Sequence, residues 1–136
     1  MPKIYQGRSI SPGIGEGEAL VTTHPLSFFG GVDTDTGIVT EQGHELLGVK
    51  VSGKVLVLPH LKGSTASTWV LCRLSERGTA PSAIIVNKAD IILIAGAILG
   101  NIPTVDKLNG NPSAEIKNGQ RVRVNGSDGM VEVMSL

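Results

Sequence analysis

The apolar positions of this chain fall into runs of two kinds. Val55-Leu56-Val57-Leu58 and Ala83-Ile84-Ile85-Val86 are unbroken, which predicts strands buried on both faces, as in a sheet with parallel pairing. Val122, Val124, Val131 and Val133 alternate with polar residues around Asn125-Gly126-Ser127-Asp128-Gly129, which predicts a C-terminal hairpin. Between the unbroken runs, Trp69, Leu71, Cys72 and Leu74 give an approximate helical stripe, so residues 65–77 read as a helix. Ser64 is its expected N-cap, Arg73 and Arg77 lie near its C-terminal end, and Gly78 is its stop. Near the N-terminus, residues 3–9 and 17–23 read as short strands around the turn "SPGIGEG".

Glycine pairs and Asp/Thr-rich turns make residues 27–48 a long loop with one short strand near 37–40. Residues 90–101 pull two ways: the isoleucine-rich start at 91–94 favours strand, and 95–99 favours helix. Pro103 then opens a short strand over 103–106. The order is that of a mixed α/β domain. The right-handed crossover rule makes the strands at 54–58 and 83–87 parallel, with helix 65–77 on one face.

Composition narrows the function more than the fold. A length of 136 residues fits one domain, spanning 1–136. The net charge of zero offers no basic surface to nucleic acid or an acidic membrane. Two phenylalanines, one tyrosine and one tryptophan are too few for a base-stacking platform. No apolar run reaches the roughly 18 residues of a membrane span, and the first residues carry no signal-peptide apolar region. One cysteine excludes an intramolecular disulfide, which fits a cytoplasmic protein. Charged residues make up only 18% of the chain, against about 25% in ordinary globular domains, which points to surface covered by a partner.

The candidate chemistry concentrates in "KGSTAS", residues 62–67. A loop entering a helix presents unsatisfied backbone N–H groups and the positive end of the helix dipole. Gly63 lets a ligand approach the backbone, and Lys62 offers a cation. Neither the Walker A order nor the GxSxG nucleophile elbow is present. Two readings of Ser64 stand side by side: a helix cap, or a hydroxyl that does chemistry, which needs something to activate it. His24, His44 and His60 have no metal-ligand spacing and read as structural or surface residues. "GIGEG" is a glycine loop without a dinucleotide-binding frame. Asp33, Asp35 and Gly37 resemble the start of a calcium loop, but position 44, where the bidentate glutamate would stand, is His44. That segment reads as a turn. Cys72 reads as core packing rather than a reactive thiol, and a lone cysteine cannot hold an iron–sulfur cluster, so no metal is expected on this chain.

The succession "GEALV", "FFGGVDTDTGIV", "GKVLVLPHLKGSTAS", "APSAIIVNK", "GAILGNIPTVD" and "GQRVRVNGSDGMVEV" covers nearly the whole chain. It resembles the small subunit of the aconitase X family. The resemblance implies a swivelling β/β/α fold: a parallel sheet, an antiparallel barrel-like sheet and flanking helices. It also implies a hydro-lyase that works only with a large subunit, with an iron–sulfur cluster, [4Fe–4S] in type, held by that partner. The implied substrate is a small hydroxy acid. In the archaeal type this is mevalonate 5-phosphate, dehydrated to trans-anhydromevalonate 5-phosphate for isoprenoid synthesis; in bacterial relatives it is cis-3-hydroxy-L-proline.

By this resemblance Ser64 is the proton acceptor, and Lys62, Gly63 and Thr65 surround the substrate. The hydroxyl would leave bound to the cluster's iron as Lewis acid. In aconitase itself the serine loop reads Gly-Ser-Ser-Arg, and the arginine helps bind substrate. Here the corresponding residue is Ala66, so carboxylate binding falls to Lys62 or to the partner. The rival is a non-catalytic swivelling or scaffolding domain. The phosphohistidine-carrier version of that architecture would need a histidine in "AGAILGNIP", which has none. The turns at 29–37 and 60–65 are where a partner is expected to reach the backbone.

Overall fold

The computed structural model describes residues 2–134. Its strands are β1 (Lys3–Gln6), β2 (Arg8–Ser11), β3 (Ile14–Val21), β4 (Val55–Leu58), β5 (Ala83–Val86), β6 (Thr104–Asp106), β7 (Arg121–Asn125) and β8 (Met130–Val133). Its helices are α1 (Ser67–Arg77), α2 (Ile91–Leu99) and the single turn α3 (Pro112–Glu115). The strands hydrogen-bond in the order β1-β8-β7-β3-β4-β5-β6-β2. From β3 to β6 the pairing is parallel; β1, β8, β7 and the first part of β3 pair antiparallel, and β2 is antiparallel to β6.

Every side chain of β4 and β5 is buried, and the period of two sorts them into two cores. Leu56, Leu58, Ile84 and Val86 pack with Leu71 and Leu74 of α1, Leu93 and Ala97 of α2, and Leu26, Phe28 and Val39 of the long loop. Val55, Val57, Ala83 and Ile85 face the other way, against Val122, Val124, Val131 and Val133 of the hairpin and Tyr5 of β1. The antiparallel strands therefore fold back across one face of the parallel sheet, and α1 and α2 cover the other. This is the β/β/α stack that the resemblance implies, with the parallel β4–β5 crossover expected from the sequence.

Two features close the antiparallel half over the parallel half. Strand β3 belongs to both: residues 14–18 pair with β7, and residues 19–21 pair with β4. At the other side, β1 and β2 lie at opposite ends of the strand order and are joined by Gly7 alone. A Cβ on Gly7 would lie 2.4 Å from the Asp106 carbonyl oxygen, and one on Gly15 would lie 1.9 Å from that of Ser82. Only glycine allows the two layers to come this near.

Several local expectations are corrected. Residues 3–9 form two strands rather than one, broken at Gly7, and β3 starts at Ile14, inside the expected turn. The strand expected near 37–40 is reduced to isolated bridges, Val32 with Val39 and Ile38 with Lys50. Residues 91–99 are wholly helical, because Asp90 caps them by accepting the Leu93 N–H at 2.9 Å. Helix α1 starts at Ser67, two residues later than expected, with Ala66 at its N-cap and no side-chain cap bond. Trp69 points to solvent rather than into the helical stripe.

The specific motifs mostly serve packing. Gly96 of "GAILGNIP" lets α2 approach Leu71 and Thr68 of α1. In "GGVDTDTG", the Asp35 N–H donates to Asp33 Oδ1 at 3.0 Å and the Gly37 N–H to the Asp33 carbonyl at 2.7 Å, so the segment is the expected turn. Gly37 has φ 74° and faces Ser52 Oγ and the Thr79 carbonyl, a place no side chain fits.

Gly15→Ala tests the closure. Its methyl group has to push back the Ser82 carbonyl, so urea unfolding should register a loss of about 1–3 kcal/mol. A variant as stable as the wild type would mean that the layers are not held at this separation.

Candidate active site

The parallel strands all end at one edge, at Val21, Leu58, Val86 and Asp106, and ligands of such sheets bind beyond the carboxyl ends. The connections there are tied across the edge: Asn87 donates to the Pro59 carbonyl at 3.0 Å, and Lys107 to the Asn87 carbonyl at 3.1 Å. Asp106 is buried; it accepts two bonds from Arg8, at 2.9 and 2.7 Å, and one from the Ala89 N–H at 2.8 Å. Burial alone would raise this carboxyl, but the Arg8 and Ala89 hydrogen bonds and the Arg8 and Lys107 charges outweigh it and hold it below its usual range.

Beyond β4 the chain runs across this edge to α1, with Leu61 bridged to Leu26 and the Lys62 N–H donating to the Leu26 carbonyl at 3.1 Å. Gly63 takes φ 92°, and a Cβ there would meet Ser27 Oγ at 2.5 Å. Ser64, Thr65 and Ala66 then form a turn leading into the helix, with the Ser67 N–H donating to the Ser64 carbonyl at 3.1 Å. Ser64 Oγ accepts the Ala66 N–H at 3.0 Å. It therefore holds the lead-in turn and not the helix itself. The side chain is exposed, and its hydroxyl proton donates to no acceptor among the described residues. The backbone N–H groups of Gly63, Ser64 and Thr65 likewise have no acceptor among the described residues. Three successive free donors at the approach to a helix suit negative charge.

Lys62 is not the free cation its sequence position promised. Its Nζ lies 2.8 Å from Glu41 Oε2, while Glu41 Oε1 accepts the Ser27 N–H, also at 2.8 Å. One carboxylate thus clamps the loop before Gly63 to the loop that carries Ser27 and Phe29. Burial pushes the Glu41 carboxyl up, but the bonds from Lys62 and Ser27 and the Lys62 and His44 charges together bring it below its usual value. Lys62 and Glu41 border a cavity of about 290 Å³ with His24, His44 and Glu45; Gly63, Ser64 and Thr65 stand outside it. Ser67, which its sequence context does not single out, has a buried hydroxyl that accepts the Phe29 N–H at 3.2 Å. A signal for Glu41 did exist. No lysine or arginine occurs between Arg8 and Lys50, while Asp33, Asp35, Glu41 and Glu45 fall in that span. Countercharges have to come from elsewhere, and Lys62 supplies that of Glu41 and Arg77 that of Asp35.

The remaining candidates hold the fold or lie at its surface. His44 Nδ1 accepts the Leu46 N–H at 3.0 Å, so the ring donates from Nε2 to the Pro25 carbonyl at 3.1 Å. His24 and His60 are exposed, and His60 Nδ1 lies 2.8 Å from the Leu61 carbonyl. Cys72 is half-buried, and burial, with Glu76 nearby, pushes its thiol up, away from reactivity. Residues 33–37 are tied to the C-terminal end of α1 through Arg77–Asp35 and the bond from Thr79 Oγ1 to the Thr34 carbonyl. The expected partner loop at 29–37 is therefore divided, with Phe29 at the start of α1 and residues 33–37 at its far end.

The clamp has a pH signature. A carboxyl held low when folded stabilises the fold above its unfolded value, about 4.3, and that stability is lost as pH falls through the folded value. Glu41→Gln should therefore cost about 1 kcal/mol at pH 7, because the pair is half-exposed at Lys62. The gap to wild type should close below about pH 4, as read by denaturant unfolding across pH.

Residues 4–133 match the family described as the aconitase X swivel domain. The phosphomevalonate dehydratase small subunit of Methanosarcina acetivorans is 46% identical over 134 residues, covering 98% of this chain and 93% of its own. That of Thermococcus onnurineus is 48% identical over 128 residues, covering 94% and 96%. The crystal structure of Thermococcus kodakaraensis aconitase X in its holo-form superimposes with a TM-score of 0.92 at 42% identity, over 98% of this chain and 99% of that one. A match spanning the whole described fold, serine loop included, places this chain in the aconitase X swivel-domain family.

Proposed function

We propose that this chain is the small subunit of a dehydratase acting on mevalonate 5-phosphate, with Ser64 accepting the proton. The observation that carries the substrate is the similarity, over nearly the full length, to proteins named phosphomevalonate dehydratase small subunit. What supports Ser64 is its exposed hydroxyl on a loop whose three backbone N–H groups are unused.

A β-hydroxy acid loses water when the C–H bond next to its carboxylate breaks. The electron pair left behind forms the double bond, and hydroxide departs from the adjoining carbon. Serine takes such a proton only as an alkoxide, so its surroundings have to favour negative charge. At Ser64 these are the start of α1, the free N–H groups and the Lys62 ammonium. Gly63 and Thr65 bring backbone donors to the substrate's anionic groups. Lys62 contributes in this way only as far as Glu41 leaves its charge unneutralised.

Among the described residues no three metal-ligating side chains come together, and the lone Cys72 lies on α1 with its thiol proton held. These residues do not fit an iron–sulfur cluster. In this reading the cluster belongs to the large subunit, which would also complete the substrate's surroundings. Closing the two subunits would expel water and strengthen each interaction at Ser64. No described helix is long and apolar enough to cross a membrane.

The chain, reconstituted anaerobically with its large subunit, should dehydrate mevalonate 5-phosphate and not cis-3-hydroxy-L-proline. Ser64→Ala should assemble normally and lose at least ~10³-fold in kcat, within the range of a lost acid–base group. Wild-type turnover by Ser64→Ala would return the hydroxyl to holding the turn and leave the chain as a scaffold. The chain without its partner should show no turnover of either compound.

A further inference from the structure

Of the four aromatic side chains, Tyr5 and Phe28 are buried, while Phe29 and Trp69 are 55% and 68% exposed. Both exposed rings belong to the Ser64 end of the molecule. The Phe29 N–H donates to Ser67 Oγ at the first residue of α1, and Trp69 is the third residue of that helix. Ile91, the first residue of α2 and 74% exposed, is brought alongside by the bond from Thr68 Oγ1 to the Ile92 carbonyl at 2.9 Å. From Trp69 a groove of about 480 Å³ continues past Cys72 to Leu99. The helices run parallel here, since Ser75 at the other end of α1 meets Gly100 at the end of α2.

We propose that Phe29, Trp69 and Ile91 form the seat of the large subunit, a rim of apolar side chains at the starts of α1 and α2, on the side where the Ser64 loop enters α1. This rests on the dehydratase-subunit reading. In that reading Ser64 acts only on a substrate held by another chain, and a body reaching Ser64 also lies over Trp69, less than one helical turn, about 5 Å, into α1. Tryptophan and other aromatics in such positions dominate interface energetics. The low charged fraction, 18%, fits a surface covered in the assembly. A second copy of this chain does not fit the seat. Two copies meeting here would bring together only two cysteines, too few to hold an iron–sulfur cluster.

The full-length chain is titrated with purified large subunit, using wild type, Trp69→Glu, Phe29→Ser and, as a control on β1, Ile4→Ser. Trp69→Glu and Phe29→Ser should each raise the dissociation constant at least roughly tenfold, and Ile4→Ser should leave it unchanged. Each variant should melt like wild type, because the replaced side chains are exposed. Fluorotryptophan labelling reports on Trp69 alone, since it is the chain's one tryptophan; its fluorine resonance should shift and broaden on binding. Affinity within twofold of wild type for both site variants, or an unmoved resonance, overturns the proposal. So does a dimer of the isolated chain that Trp69→Glu abolishes. If neither substrate is turned over by the wild-type complex while Trp69→Glu still fails to bind, the substrate reading falls and the seat stands. If turnover is normal and Trp69→Glu binds as well as wild type, the seat falls and the dehydratase reading stands.

Discussion

The side chains of β4 and β5 have no face left for water. Val55 and Val57 point into one core and Leu56 and Leu58 into another, and Ala83, Ile85, Ile84 and Val86 repeat the division one strand over. A four-residue strand buried in this way is stable only with a layer on each side, so hairpin and helices are both obligatory. The carboxyl ends of these strands then define one edge, and the loop that follows Leu58 has nowhere to go but across it. Ser64 stands where it does because β4 is central and α1 covers the helical face.

Beyond that frame, local forces shape the loop. The bridge of Leu61 to Leu26, the Ser67–Phe29 bond and the Glu41 clamp tie residues 61–67 to residues 26–29 at three points. Each uses a polar group that would otherwise be stranded at a partly buried edge. The N–H groups of Gly63, Ser64 and Thr65 are what remains unspent, so the loop is rigid in its anchors and open in its donors.

Much of this could be read in the chain beforehand, and the misses have a common cause. The unbroken runs at 55–58 and 83–86 announced strands buried on both sides, and alternation announced the hairpin of β7 and β8, because burial is encoded locally by period. Ser64 stood out for its position between strand and helix, and the resemblance to the aconitase X family implies the proton-accepting role proposed for it. What escaped notice depends on contacts far apart in sequence. Gly7 looks like any residue in a polar strand until Asp106 and Leu108 crowd it. Ile91 and its neighbours look like strand until Asp90 caps them. Glu41 matters because Lys62, 21 residues on, meets it in space.

Strand β3 pairs with both halves of the sheet, and the link at Gly7 joins β1 to β2 on the opposite side. The two layers are thus stitched together along both margins, as a cuff is. A cuff sewn at both seams cannot gape. Such a body swings only as a whole, so in the proposed dehydratase any opening that admits a ligand to Ser64 would come from separation at the surface facing the large subunit, with the interior of this chain left undisturbed.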